Sequence, residues 1–236
     1  MTMNQNEQDI LAAIKLTKIL KTPQQHLATF GVTRTNYYLI TKPSYDDLIQ
    51  QQQEESVIRE GTVVSERPLV VTPRYMANLD GFSSDARKYF EGLAQTLGSG
   101  APGILYQYRN EPAGLDIVSE NIETISQKIL SDLKGKGDTQ SVVIQGVDHL
   151  WDVSLLQFIY RFTANSIKGN ISEMSNMGLL DVENTVGLPK AIVREIEDMF
   201  QRVRQGDDPS KLKEKLDRLG VFDLYEDRFL GLFLRK

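Results

Sequence analysis

The sequence predicts an α+β fold, in which a mixed β-sheet within residues ~35–147 is covered by a helical C-terminal part. Strand-like segments rich in branched and aromatic residues lie before residue 147, whereas the apolar residues after it recur at helical spacing. The stretch 115–147 reads as a strand, a helix and a strand, at about the length of one βαβ unit. The predicted regions are 1–150, with the main sheet, and 151–236, which is helical; we expect the second to pack on the first as one compact unit.

One helix and four short strands are predicted before residue 72. The helix covers residues 6–20, where Ile10, Leu11 and Ile14 share one face. The strands, which combine branched and aromatic residues between turn signals, are 36–41, 56–59, 62–65 and 69–72. The second and third of these strands are expected to form a hairpin, because Gly61 between them supplies the positive φ that a tight turn needs.

Both helices and strands are predicted between residues 72 and 147. Thr72 and Pro73 predict the start of a helix, since threonine caps free amides and proline suits the first turn. Ser84 caps a second helix, which leads into the glycine-rich connection 98–103. The segments that follow are a strand at 104–108, a strand at 115–118, a helix at 121–133 and a strand at 141–147. The last strand, SVVIQGV, is expected to be buried on both faces.

Only helices are predicted after residue 147. The segment 153–168 is apolar on most sides and is expected to form a central buried helix. Three further helices follow, at 191–204, at 209–219 behind an Asp208 cap, and at 222–234. The last helix is very apolar, so its surface must be covered by its own domain, by a second copy of the chain or by a protein partner. Its candidate interaction residues are Phe222, Tyr225, Phe229, Leu230 and Phe233.

The composition excludes several kinds of chemistry. The 236 residues contain no cysteine, which excludes disulfides, thiol catalysis, zinc–thiolate sites and iron–sulfur clusters. The 27 basic and 32 acidic residues give a net charge of −5, which argues against a nucleic-acid partner. No apolar run approaches the ~20 residues that span a bilayer, and the polar start of the chain lacks the pattern of a secretory signal. We therefore expect a soluble cytoplasmic protein without a membrane partner.

The segment VDHLWD (147–152), directly after the strongest predicted strand, supplies the candidate catalytic residues Asp148, His149 and Asp152. In sheets with parallel strands, ligands gather beyond the carboxyl ends of the strands. There, Asp148 and His149 are suited to binding a divalent metal or to acid–base chemistry. The alternative is structural: Asp152 caps the next helix, Trp151 packs beneath it, and the two histidines of the chain are too few for an ordinary coordination shell. The metal is unknown and no cofactor is predicted.

Three arginines form the second candidate site. Arg59, Arg67 and Arg74 flank the strands between residues 57 and 72, where they are candidates for binding an anionic ligand. The alternative is that they form ordinary surface ion pairs, for example with Glu60 and Glu66. The second alternative function is that of an RNA-associated protein, in which these arginines bind phosphates and four tyrosines stack on bases. These tyrosines are Tyr37, Tyr38, Tyr106 and Tyr108.

No catalytic signature identifies the chain as an enzyme, because it contains neither a Gly-x-Ser-x-Gly elbow nor a P-loop ending. The function predicted first is therefore that of a cytosolic non-enzymatic protein that acts through protein–protein interaction, as an adaptor, assembly or regulatory factor, or as a homo-oligomer. The alternative is a metal-assisted hydrolase or small-ligand-binding protein with its site near Asp148, His149 and Asp152. The sequence leaves the choice between an enzyme and a binding protein open.

Overall fold

The structure, a computed structural model, describes residues 5–45, 54–80, 84–183 and 185–233, apart from the side chains of residues 5, 6, 85 and 86. It divides into two compact units, each built from two separate stretches of chain. The first unit joins Met1–Arg67 to Tyr106–Asn170, and the second joins Pro68–Leu105 to Ile171–Lys236. The sequence predicts a single division near residue 150 instead, and its assignment of 1–150 and 151–236 as separate regions stays a prediction.

The described residues form eight helices and nine strands. In chain order these are α1 (Gln5–Leu16), β1 (Lys18–Lys21), β2 (Thr33–Lys42), β3 (Ser56–Ser65), β4 (Leu69–Val71), α2 (Pro73–Ala77), α3 (Ser84–Leu97), β5 (Gly103–Leu105), β6 (Tyr108–Val118), α4 (Ile122–Gly135), β7 (Val142–Val147), α5 (Trp151–Asn176), β8 (Val182–Glu183), β9 (Leu188–Pro189), α6 (Lys190–Arg204), α7 (Pro209–Leu219) and α8 (Phe222–Leu230). A 3₁₀ turn, Asp148–Leu150, joins β7 to α5. None of these described helices has both the length and the apolar character needed to cross a bilayer.

The first unit is centred on a five-stranded mixed sheet with the strand order β1–β7–β2–β3–β6. Strands β2 and β7 run parallel, and every other neighbouring pair in this sheet is antiparallel. Strands β6 and β7 therefore point the same way and are joined through α4, with β3 and β2 lying between them. The predicted α+β class, with a mixed sheet and one βαβ-like unit, is confirmed.

Apolar side chains cover both faces of this sheet. The core of the face on which α5 packs consists of Tyr37, Leu39, Val63, Val142, Ile144, Leu155 and Phe158. The core of the face on which α4 packs consists of Ile40, Ile58, Ile125, Leu133 and Val143. Because Val142, Val143 and Ile144 are fully buried, the predicted burial of this strand on both faces is confirmed for its first half.

The predicted hairpin around Gly61 is wrong, because β3 is one continuous strand whose residues 57–65 pair with β2 without interruption. A Cβ atom at position 61 would lie 2.5 Å from the hydroxyl oxygen of Tyr37 and 2.7 Å from the carbonyl oxygen of Glu111. The backbone at Gly61 does not have positive φ. Glycine is therefore required here by the close approach of Tyr37 and β6 and not by a turn.

Two further predictions about the first unit need correction. The helix predicted over 6–20 ends at Leu16, and the following residues form the edge strand β1, whose Ile19 packs on the α5 face. Helix α5, predicted to be buried on most sides, turns one face to the sheet and another to solvent. Its Leu156 and Tyr160 are 61% and 74% exposed. An apolar residue count predicts burial only where a second layer covers the outer face, and that depends on the tertiary fold.

The second unit is built around α6, α7 and α8, whose apolar faces share one buried core. Two predicted helix starts are confirmed in it. The Thr72 hydroxyl accepts a hydrogen bond from the Tyr75 amide at 3.2 Å, and the Asp208 carboxylate accepts one from the Ser210 amide at 2.9 Å. Helix α7 ends at Gly220, which has a left-handed conformation with φ 64°. This glycine therefore ends the helix as the sequence predicts.

Candidate functional sites

The Asp148 carboxylate connects the ends of three strands of the main sheet. Its Oδ1 lies 2.7 Å from Nη2 of Arg59 on β3 and accepts a hydrogen bond from the Thr41 hydroxyl of β2 at 2.9 Å. Its Oδ2 accepts one from the amide of Ser44, just beyond β2, at 3.1 Å. As predicted, Asp148 follows the carboxyl end of a strand that has a parallel neighbour. Two residues that the sequence assigned to different sites, Asp148 and Arg59, are therefore partners.

The electrostatics of this network favour an ionised carboxylate. Burial alone would raise the pKa of Asp148, but the hydrogen bonds from Arg59, Thr41 and Ser44 and the positive charge of Arg59 together lower it below its ordinary value. The Arg59 guanidinium also lies over the Trp151 ring, 5.7 Å from its centroid. Both charged side chains are mostly buried, and both oxygens of the carboxylate accept hydrogen bonds. A base with a lowered pKa and occupied lone pairs is a weak proton acceptor, so the geometry favours a structural role for Asp148.

The other two residues of this candidate site do not join the network. His149 is exposed, and its side chain forms no hydrogen bond with any described residue. Asp152 is also exposed, at the first turn of α5, where its carboxylate accepts a hydrogen bond from the Val153 amide at 2.9 Å. Across the part of the chain that the structure describes, no group of three or more histidine, aspartate or glutamate side chains is placed to hold a metal ion. Catalysis by Asp148, His149 and Asp152 stays a prediction.

The three candidate arginines have different surroundings. Arg59 is mostly buried and paired with Asp148. Arg67 is exposed just after β3 in the first unit. Arg74 belongs to α2 in the second unit, where its guanidinium occupies the space that a Cβ at Gly220 would take. An anion site formed by all three arginines stays a prediction, and its most buried member already has a carboxylate partner.

The tyrosines proposed as stacking groups mostly serve internal contacts. Tyr37 is buried in the core of the first unit, and Tyr38 is half-buried on the opposite face. The Tyr106 hydroxyl donates a hydrogen bond to Asn170 at 2.8 Å, and burial raises the pKa of Tyr106 to about 12. The Tyr108 hydroxyl is hydrogen-bonded to Thr163. Bases stack on exposed rings, so this arrangement gives the RNA alternative little support.

Helix α8 directs most of its candidate interaction residues into its own unit. Tyr225 and Phe229 are buried in the core of the second unit, and Phe222 is half-buried against that core. Leu230 and Phe233 are exposed. Coverage by the same domain, one of the three alternatives that the sequence left open, therefore applies to the inner side of this helix. A binding role for Leu230 and Phe233 stays a prediction.

The outer side of β6 is a surface that sequence reasoning did not identify. This strand lies at the edge of the sheet and pairs with β3 alone. Within the described ranges, no backbone hydrogen bond reaches its outer side. Leu115 and Ile117 are 56% and 53% exposed. Since Leu115 pairs with Arg59, and Arg59 with the core residue Leu39, both exposed side chains project from the α5 face of the sheet.

A β-bulge divides β6 into two different halves. The register with β3 shifts between Pro112 and Gly114, which leaves Ala113 unpaired. In the first half, Arg109 and Glu111 form an ion pair of 2.7 Å, and Pro112 has no amide hydrogen to offer. Charges, proline and bulges are the features that protect edge strands from pairing. The second half, 114–118, has the sequence GLDIV, with one charge among small and apolar residues.

Comparisons with known proteins assign no family to the chain. No protein-family model, no curated protein and no solved structure matches it. The sequence signal that points to the β6 surface is the alternation of apolar and polar residues over 115–117, which places Leu115 and Ile117 on one face of a strand. That this strand lies at an edge follows only from the strand order.

Proposed function

We propose that this protein is a non-enzymatic binding protein that acts through protein–protein contacts, and that residues 114–118 of β6 take up an extended segment of a partner protein. The observation that supports the proposal best is the combination of an open strand edge with two apolar side chains that are more than half exposed, Leu115 and Ile117. In strand addition, main-chain hydrogen bonds supply affinity and alternate side chains supply specificity.

The open edge favours a strand over other partners. Every second N–H and C=O group of an edge strand points away from the sheet, and only another extended backbone matches that spacing of donors and acceptors. Leu115 and Ile117 lie on one face at alternate positions, so two apolar residues of an added strand would pack beside them. The protected first half of β6, with its bulge and ion pair, limits the added strand to the second half.

Asp116 indicates the charge of the partner segment. It is exposed on the opposite face from Leu115 and Ile117, and it forms no ion pair with any described residue. An added strand with a basic residue opposite Asp116, between two apolar residues, complements all three positions. A second copy of this chain does not: the antiparallel register that sets Leu115 opposite Ile117 also sets Asp116 opposite itself, and like charges in that position are destabilising. The partner is therefore a different protein with an alternating apolar and basic segment.

The experiment measures binding of short labelled peptides to the full chain by fluorescence anisotropy. A peptide of alternating valine and lysine is expected to bind at least about tenfold more tightly than one of alternating valine and glutamate. Asp116→Lys is expected to reverse this preference. Asp132→Lys, which makes the same charge change at an exposed position of α4, should leave the preference in place.

A second pair of variants tests how much the two apolar side chains contribute to peptide binding. Replacing both Leu115 and Ile117 by serine should weaken binding of the basic peptide, whereas Leu156→Ser, at an equally exposed position of α5, should not. Light scattering of the unmodified chain should give a monomer. Failure of the basic peptide to bind saturably, or an Asp116→Lys chain with unchanged preference, would show that β6 is not the binding surface.

A further inference from the structure

A cavity of about 380 Å³ opens in the first unit between α5 and the connection from β1 to β2. Its volume lies within the range of about 300–1,000 Å³ that is usual for small-molecule sites. Helix α5 contributes side chains at positions 158, 161, 162 and 165, a spacing that places them on one side of the helix. Across the opening lie Ile19 at β1 and His26 in the connection. The cavity shares no lining residue with β6.

The inner wall of the cavity is aromatic. The rings of Phe158 and Phe162 are stacked, with centroids 5.4 Å apart and an angle of 17° between their planes. Phe158 is only 2% exposed, because it also belongs to the core under the sheet. Ile19 adds an aliphatic side chain to the same wall. Most of the apolar surface that a ligand can reach is therefore supplied by the half-buried side chains of Phe162 and Ile19, with Phe158 supporting Phe162 from below.

The rim of the cavity is polar. Arg161, Asn165 and His26 are exposed there, and none of their side chains forms a hydrogen bond or an ion pair with a described residue. Arg59 differs from Arg161 in this respect, because a carboxylate oxygen of Asp148 lies 2.7 Å from its guanidinium. A guanidinium with five donors and no carboxylate partner among the described residues, beside an amide and an imidazole, is suited to receive an anionic group.

We propose that this cavity binds a small organic anion, with its carboxylate or phosphate group held by Arg161, Asn165 and His26 and its planar apolar part packed on Phe162 and Ile19. The two halves of the ligand follow from the two halves of the lining: the exposed arginine selects the charge, and the apolar wall selects the apolar body. The site uses neither Asp148 nor His149, and it is independent of strand addition at β6.

Calorimetric titration of the full chain tests this proposal with four probes: benzoate, phenyl phosphate, benzyl alcohol and inorganic phosphate. The two aromatic anions are expected to bind saturably at millimolar concentrations or below, as fragments of this size do. Benzyl alcohol, which lacks the charge, and inorganic phosphate, which lacks the ring, should each bind at least about tenfold more weakly. The stronger of the two aromatic anions identifies the anionic group that the site prefers.

Two variants locate the binding. Arg161→Gln keeps a long polar side chain but removes the charge, and it is expected to weaken binding of the aromatic anions at least about tenfold. Because Arg161 is exposed and forms no hydrogen bond or ion pair with a described residue, this variant should unfold at the same denaturant concentration as the unmodified chain. Lys168→Gln removes another exposed cation of α5 that does not line the cavity, and binding should stay within about twofold.

Three results would overturn the proposal. The first is the absence of saturable binding by both aromatic anions. The second is binding that Arg161→Gln leaves unchanged. The third is equal binding of benzyl alcohol or of inorganic phosphate, which would show that the cavity does not require both a charge and a ring. Each result concerns the cavity alone and leaves peptide binding at β6 unaffected.

Discussion

The Asp148 carboxylate and the Arg59 guanidinium lie 2.7 Å apart and tie the end of β7 to β3 across the intervening strand β2. The Thr41 hydroxyl of β2 lies between them, since it accepts a hydrogen bond from Arg59 at 3.1 Å and donates one to Asp148 at 2.9 Å. Neighbouring strands are thus joined by side chains as well as by their backbones, at the edge where the parallel pair ends.

Asp148→Asn is expected to destabilise the chain by about 3 kcal/mol, because it leaves the mostly buried Arg59 without a counter-charge. Urea denaturation followed by circular dichroism measures this difference. The matched control is Asp132→Asn, which breaks an exposed ion pair with Lys136 on α4 and should cost no more than about 0.5 kcal/mol. Equal effects of the two variants would contradict the structural role of Asp148.

The same carboxylate predicts a dependence of stability on pH. The folded state lowers the pKa of Asp148, so in the interval between its folded and unfolded pKa values the unfolded chain binds more protons. The contribution of ionised Asp148 to the stability of the folded chain is therefore complete above the unfolded pKa of about 3.9, and it is lost as the pH falls through the lower pKa of the folded state. The difference in unfolding free energy between the unmodified chain and Asp148→Asn should shrink over this interval. A difference that stays constant from neutral pH to about pH 2 would show that Asp148 is not the group responsible.

Local signals in the sequence predict most elements but not the contacts between them. Thr72 and Asp208 cap helices as expected, since a cap depends on residues only two or three positions away. The pairing of Asp148 with Arg59 depends on the strand order, which brings together residues far apart in the chain. The sequence therefore identified both residues as notable and assigned them to separate sites.

The wrong prediction of a hairpin at Gly61 also arose because the sequence does not show which strands become neighbours. A glycine between two strand-like segments is typical of a hairpin turn, and nothing local distinguishes that case from a close tertiary approach. The partner that requires glycine here is the Tyr37 ring on β2, which becomes its neighbour only when the sheet forms. Likewise, the exposed edge at 114–118 is recognisable as a strand from sequence, but its edge position is a property of the completed sheet.

Gly61→Ala is expected to destabilise the chain by about 2 kcal/mol, because the added methyl group overlaps the Tyr37 hydroxyl and the backbone of β6. Tyr37→Phe in the same chain should restore only a part of the loss, since the ring carbon Cζ also lies 2.6 Å from the new Cβ. Gly114→Ala on β6 is the control: a Cβ there meets no atom of a described residue within 4 Å, so its effect should stay within about 0.5 kcal/mol. Equal losses at the two glycines, measured by urea denaturation, would mean that strand propensity and not steric overlap sets the effect.

The open edge of β6 predicts an alternating pattern of amide hydrogen exchange over residues 114–118. Amides that point to β3 donate within the sheet and should exchange slowly, whereas those that point outward have no backbone acceptor among the described residues and should exchange rapidly. Residue-resolved exchange followed by NMR measures both sets in the free chain. Addition of the valine–lysine peptide should slow the outward set alone, because an added strand supplies its missing acceptors. Slow exchange at every amide of this segment in the free chain would mean that the edge is already covered, and strand addition at β6 would then have no place to occur.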